Sequence, residues 1–272
     1  MRDTFADYVF EKAKLDSKIR LITADLGFGV FDKFIKELPD QFINSGVTEQ
    51  ATVSMAAGLS EYSSKVFVYS IANFVTFRPL EQIRNDICYQ NKNVCLVSVG
   101  AGFSYGALGY SHHLIEDLAI MAPLPNLKIY SPSTPREVQL CLTRIFESNS
   151  PTYLRLGRSL IQGDLTDEAI FENTCFRFLH EGRDGSIVFT GALSKVAIDL
   201  RKILLQSNLD FSVISFPYLS DANPEDLNII AKTGPILTIE DHVVVGGMGS
   251  YLATKLNKFN IHANINKYGI RD

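Results

Sequence analysis

Glu49 is the single carboxylate in the stretch Asn44–Gly58, NSGVTEQATVSMAAG, where every other residue is small, apolar or uncharged. An ionised carboxylate is costly to bury without a partner. Glu49 is therefore exposed, paired, or buried because burial tunes its proton affinity. The plainest reading is a first-turn helix carboxylate favoured by the helix dipole, with Thr48 as cap. A second cluster, YSHHLIED, holds His112, His113, Glu116 and Asp117. Neighbouring histidines usually point apart, and no third ligand has zinc-site spacing. A histidine on a Gly-rich loop, contacting substrate or cofactor, is the better reading. Arg155 and Arg158, in YLRLGRS, close a strand-like run. Their guanidinium groups suit phosphate or carboxylate, or else surface ion pairs. GAGFSYG (Gly100–Gly106) resembles a dinucleotide fingerprint, but its spacing is GxGxxxG and no helical apolar stripe follows. The glycines of IEDHVVVGGMGS would allow approach to a phosphate, or simply a tight turn.

These residues need a scaffold. Short β-branched runs begin at Ile19, Gln41, Val66, Val94, Leu127 and Thr152, with helical patterns over 48–62, 79–89 and 136–146 between them. The alternation predicts an α/β fold with a mostly parallel sheet covered on both faces. RSLIQGDLTDEAIFENT, from Arg158, is polar and without period, and is read as a linker. Alternation then resumes, with strands at 186–191, 210–216, 235–240 and 261–265 and helices over 193–207, 224–232 and 249–259. The expected organisation is two three-layer domains, residues 1–160 and 181–272, joined by a linker over 161–180. Ligands of such sheets sit beyond the carboxyl ends of the strands. Asp25, Glu49, Ser70, Asn73 and Gly100 all fall there.

Composition narrows the function classes. The 272 residues are 46% hydrophobic, enough for a sizeable core, and the net charge is −4 with no long basic run. Nucleic acid is therefore not the expected partner. No apolar run approaches a membrane span. The N-terminus lacks the apolar region of a signal peptide. Cys88, Cys95, Cys141 and Cys175 form no CxxC pair and read as buried free thiols. A cytoplasmic location is expected.

The motifs in order carry a resemblance. GVTEQ followed by AAGL is similar to the pyrimidine-binding domain of transketolases and 1-deoxyxylulose-5-phosphate synthases. So are TADL, ANFVTFRPLEQIRND, GALGYSHHLIEDLAIM, PNLKIYSPSTPREV and SPTYLRLGR, while ILTIEDHVVVGGMGS resembles the family's C-terminal domain. The resemblance implies thiamine diphosphate with magnesium as cofactor. It also implies that a GDG motif, absent here, lies on a partner. The chain begins where the pyrimidine domain begins, so the C-terminal subunit of a split transketolase is expected, in a heterotetramer of two of each chain. In the family the matching glutamate hydrogen-bonds a ring nitrogen of the aminopyrimidine, donating from its neutral form. Glu49 would take that role, with a pKa raised by burial. Asp25 would lie near the cofactor, and Phe74 and Phe77 would line the pyrimidine pocket. His112 would meet the oxygens of the sugar. Arg158 would anchor substrate phosphate, with Arg155 beside it and Arg2 as a further candidate.

Several positions depart from the pattern. Ile71 stands where transketolases stack a phenylalanine on the pyrimidine. Leu108 replaces an aspartate that contacts a sugar hydroxyl. Gly100 and Gly29 replace a histidine and a serine of the phosphate site. These departures imply ketol transfer to or from an unusual sugar, such as a modified or nucleotide-linked one from surface-carbohydrate biosynthesis. Two alternatives stay open: a 2-oxoacid dehydrogenase beta subunit or deoxyxylulose-phosphate-synthase-like condensing enzyme, and a non-catalytic scaffold.

Overall fold

The computed structural model describes residues 1–158 and 174–271. Its first sheet holds β1 (Ile19–Thr23), β2 (Phe42–Asn44), β3 (Lys65–Ile71), β4 (Val94–Val99), β5 (Lys128–Tyr130) and β6 (Thr152–Leu156). All pair in parallel, in the order β2-β1-β3-β4-β6-β5. The central strands β3 and β4 are buried almost end to end, which explains their unbroken apolar runs. The second sheet holds β7 (Arg177–His180), β8 (Gly185–Phe189), β9 (Phe211–Ser215), β10 (Ile236–Val243) and β11 (Ile265–Ile270), in the order β11-β10-β8-β9-β7. Only β7 runs antiparallel to its neighbour. The fold is thus α/β, with two mostly parallel sheets.

The helix Arg2–Leu15 shows how local sequence builds the first core. Phe5, Val9, Phe10 and Ala13 share its buried face. Phe5 meets Phe67 edge-on and stacks on Tyr69, with ring centroids 5.7 and 5.9 Å away. The predicted helix 79–89 forms as a short turn, Leu80–Gln82, that runs into a π-helical segment, Ile83–Cys88. There the Tyr89 amide donates to the Arg84 carbonyl, five residues back.

Two boundaries differ from those expected from the sequence. Of the segment read as linker, residues 161–173 lie outside the described residues, but Arg177–His180 is β7, so the second sheet starts within it. The last strand is Ile265–Ile270 rather than 261–265, because its alternating pattern falls in INKYGI. All four cysteines are buried and free. Among the described residues no helix is long and apolar enough to cross a membrane.

A buried polar seam joins the two units. Arg155 on β6 is fully buried. Its Nε donates to Asp117 (2.8 Å), one terminal nitrogen to Asp241 Oδ1 (2.7 Å), and the other to the Leu114 and Asp241 carbonyls. Tyr153 also donates to Asp117, at 2.7 Å. β10 slips register between Ile239 and Val243, and from this bulge Asp241 and His242 reach Arg155 and Leu118 of the first unit. His242 Nε2 accepts from the Leu118 amide (3.1 Å) and Nδ1 donates to the Val243 carbonyl (2.6 Å), which fixes a neutral tautomer. Burial holds the His242 pKa below the ordinary histidine range.

The glycines of VVVGGMGS serve a turn, not a phosphate. Glu240 accepts from the Met248 and Gly249 amides at the start of the helix Met248–Lys258. A Cβ on Gly247 would lie 2.0 Å from the Glu240 carboxyl group, so glycine lets this side chain fill the helix end. Burial pushes the Glu240 pKa from 4.5 up to about 7. The folded state therefore binds this proton more tightly than the unfolded chain between those values. The group's contribution is complete below pH 4.5 and is lost as pH rises to 7, about 3 kcal/mol at most at ~1.4 kcal/mol per pH unit. His242 acts in the opposite sense, costing stability as pH falls through 6.5. In urea unfolding at pH 5 and pH 8, Glu240→Gln should gain on the wild type as pH rises. A difference that is the same at both pH values would refute this assignment.

Candidate active site

The carboxyl ends of β1, β2, β3 and β4 bring most of the predicted residues to one edge of the first sheet. Asn44, the last residue of β2, ties this edge together. Its Oδ1 accepts from the amides of Asp25 and Gly46, both at 3.0 Å, and its Nδ2 donates to Asp25 Oδ1 at 3.2 Å. Asp25 is exposed and adopts a left-handed backbone (φ 54°), a conformation these bonds stabilise. Glu49 opens the helix Glu49–Leu59 and is 7% exposed. Thr48 occupies the N-cap position, but its hydroxyl donates to the Ser45 carbonyl (2.8 Å) and makes no capping bond to the helix. Glu49 has instead a cationic partner: Arg78 donates to its Oε1 at 2.7 Å.

Arg78 lies within the motif ANFVTFRPLEQIRND but is not among the residues that the sequence singles out; it stands four residues after Phe74. Its guanidinium carbon lies 3.8 Å from the Phe74 ring centroid. Phe74 in turn meets His112 edge-on, with centroids 5.3 Å apart. Glu49, Arg78, Phe74 and His112 therefore form one continuous line of contacts. An open groove of about 540 Å³ lies against Glu49 and Arg78, lined also by Val47, Thr48, Gln50 and Ala51.

The His112 loop is closed at its base by a Gly102–Leu114 bridge. Ser111 Oγ lies 2.9 Å from His112 Nδ1. Asn73 donates to the Ser111 carbonyl, while its own Oδ1 is buried without a partner. Tyr105 lies edge-on to His112 at 5.9 Å. Its ring covers Gly100, where a Cβ would come within 2.0 Å of it and φ is +98°. The charge of Arg2 reaches Tyr105 and Tyr69, whose hydroxyl pKa values are raised by burial. The other polar members of YSHHLIED diverge. His113 bonds the Gly106 carbonyl, Glu116 accepts from Tyr110, and Asp117 pairs with Arg155. Among the described residues no cluster of three or more His, Cys, Asp or Glu side chains could hold a metal ion.

Other predicted residues stand apart. Arg155 is not placed to anchor a substrate phosphate: it is fully buried between Asp117 and Asp241, because a strand-interior guanidinium needs internal acceptors. Arg158 is exposed just beyond β6. Arg2 pairs with Asp3 on the surface. Ile71 is half-buried at the end of β3, and Phe77 is 41% exposed. Leu108 also faces solvent, and Gly29 has open space where a Cβ would stand.

Two mostly parallel sheets meet at a buried seam, with a carboxylate, an aromatic ring and a histidine on one strand-end edge, in a transketolase-type α/β fold. The chain belongs to the transketolase family: residues 1–163 match "Transketolase, pyrimidine binding domain" and residues 176–272 match "Transketolase, C-terminal domain". It is 32% identical over 269 residues to one subunit of the apulose-4-phosphate transketolase of Phocaeicola vulgatus, covering 94% of this chain and 83% of that protein. It is 27% identical to a 6-deoxy-6-sulfo-D-fructose transketolase subunit of Clostridium sp. strain MSTE9, covering 100% and 85%. Among solved structures, a split-gene transketolase described as an inactive beta4 tetramer superposes with a TM-score of 0.88 at 32% identity, covering 100% of this chain and 89% of that one.

Proposed function

We propose that the chain is the pyrimidine-holding subunit of a two-chain, thiamine diphosphate-dependent transferase that moves a two-carbon ketol unit between sugars. The observation that carries this reading is Glu49: a nearly buried carboxylate facing a groove at the strand ends and linked through Arg78 to the Phe74 ring. That donor set suits a flat heterocycle with a protonatable nitrogen. Asn73 Oδ1, buried and unpartnered, adds an acceptor close by. When bound, the cofactor supplies the carbon nucleophile of the reaction. Glu49 orients its pyrimidine and holds a proton at a ring nitrogen. Phe74 provides an apolar wall, and His112, its Nδ1 held by Ser111, contacts sugar oxygens.

The magnesium and diphosphate are assigned to a partner chain carrying a GDG motif, two copies of each chain forming the assembly. Phe28, Val47, Phe103, Leu108 and Tyr110 support a partner at this edge. They are exposed on the loops that follow β1, β2 and β4, around the half-site. Gly100, Leu108 and Gly29 support an unusual sugar. So do the names of the two relatives, which specify apulose 4-phosphate and a sulfonated fructose. The sugar proposed is a surface-carbohydrate precursor.

Calorimetry with thiamine diphosphate and magnesium tests the split site. Tight binding is expected only when this chain is co-purified with the product of the adjacent gene. Tight binding by this chain alone would contradict the assignment of the diphosphate to a partner. A requirement for pyruvate in turnover would contradict ketol transfer.

A further inference from the structure

We infer that Arg78 is a built-in competitor for the seat of the cofactor's pyrimidine, an inference that rests on the function proposed above. The guanidinium is planar, donates to Glu49 at 2.7 Å and covers Phe74 at 3.8 Å. These are the two contacts, one carboxylate and one aromatic face, that a flat heterocycle would need there. A single side chain satisfies both at once, so pyrimidine and guanidinium cannot share the seat.

The geometry also lets Arg78 leave. Its side chain is 45% exposed, whereas Glu49 is 7% exposed. The backbone beneath is firm: the Phe77 amide bonds the Asn73 carbonyl, and Pro79 follows. Exchange then requires only side-chain rotation into solvent. It also changes what Glu49 can do. A carboxylate paired with a guanidinium is an acceptor; with Arg78 gone, it is free to carry a proton to a ring nitrogen. In the unloaded chain Arg78 keeps a nearly buried carboxylate neutralised and a half-exposed aromatic face covered. The seat is held ready and closed until the cofactor displaces it.

Such a competitor lowers apparent affinity by the fraction of molecules in which the seat is open. With about one molecule in ten open, removing the competitor tightens binding about tenfold. Arg78→Met keeps a long side chain without charge or planarity, and Arg78→Ala removes it. The experiment is calorimetry of thiamine diphosphate with magnesium on the complex of this chain with its diphosphate-binding partner, with melting curves to verify folding. Arg78→Met and Arg78→Ala should both bind more tightly than the wild type. Methylguanidinium should weaken binding to Arg78→Ala and leave the wild type unchanged, an effect that a purely structural role would not produce. Equal or weaker binding by the folded variants, with tight wild-type binding, would overturn the inference and leave the proposed function standing. Absence of binding by the wild-type complex would overturn both.

Discussion

Glu49→Ala should lower turnover of the assembled enzyme by about 10²–10⁴-fold, the usual span for a positioned acid–base group, with little change in melting temperature. Both halves follow from its surroundings. Glu49 touches the groove through a side chain that is almost wholly withdrawn from water. Its ionic partner, Arg78, is half exposed and can rehydrate when the carboxylate is removed. The fold therefore loses little. Glu49→Gln should separate two roles. An amide can still donate a hydrogen bond to a ring nitrogen, but it cannot deliver a proton. Cofactor binding should survive in Glu49→Gln while turnover falls with that of Glu49→Ala. Single-turnover kinetics on the loaded complex, with calorimetry beside them, would measure both. Full activity of Glu49→Ala would favour a scaffold over an enzyme subunit.

Strands were legible in the sequence where β-branched runs were continuous, as in β3 and β4. Local pattern was less informative where pairing is made by tertiary contact. β7 is only four residues long, RFLH, and forms as an antiparallel edge against β9, which no local period announces. The candidate site was legible in its residue types. Glu49, Phe74 and His112 do meet along one edge, through Arg78. Its pairings were not. A carboxylate's partner 29 positions along the chain carries no spacing signal. Neither does the burial of Arg155, whose strand alternation alone would place it equally well on a surface. The two acids that claim Arg155 come from different units, Asp117 before it and Asp241 in the β10 bulge. Only the packing of one sheet against the other brings them to the same guanidinium.

That seam predicts the largest loss of stability. Arg155→Met leaves Asp117, which is fully buried, and Asp241 without their common cation. Breaking a buried ion pair by removing one partner costs about 3–5 kcal/mol, and for a chain of this size the melting temperature should fall by roughly 6–20 °C. Desolvation explains the severity: Asp117 has left water entirely and Asp241 for the most part, and Asp117 cannot regain it in place. Replacing Arg155, Asp117 and Asp241 together with apolar residues of similar volume should recover much of the loss, since no buried charge is then stranded. Activity need not recover with it. Arg155 also donates to the Leu114 carbonyl, and Leu114 closes the base of the His112 loop through its bridge to Gly102. In the triple variant that bond is gone, so the melting temperature should rise while the KM for sugar stays elevated. Recovery of both together would place the role of Arg155 wholly in stability, and a single variant that melts like the wild type would refute the seam as the weld between the two units.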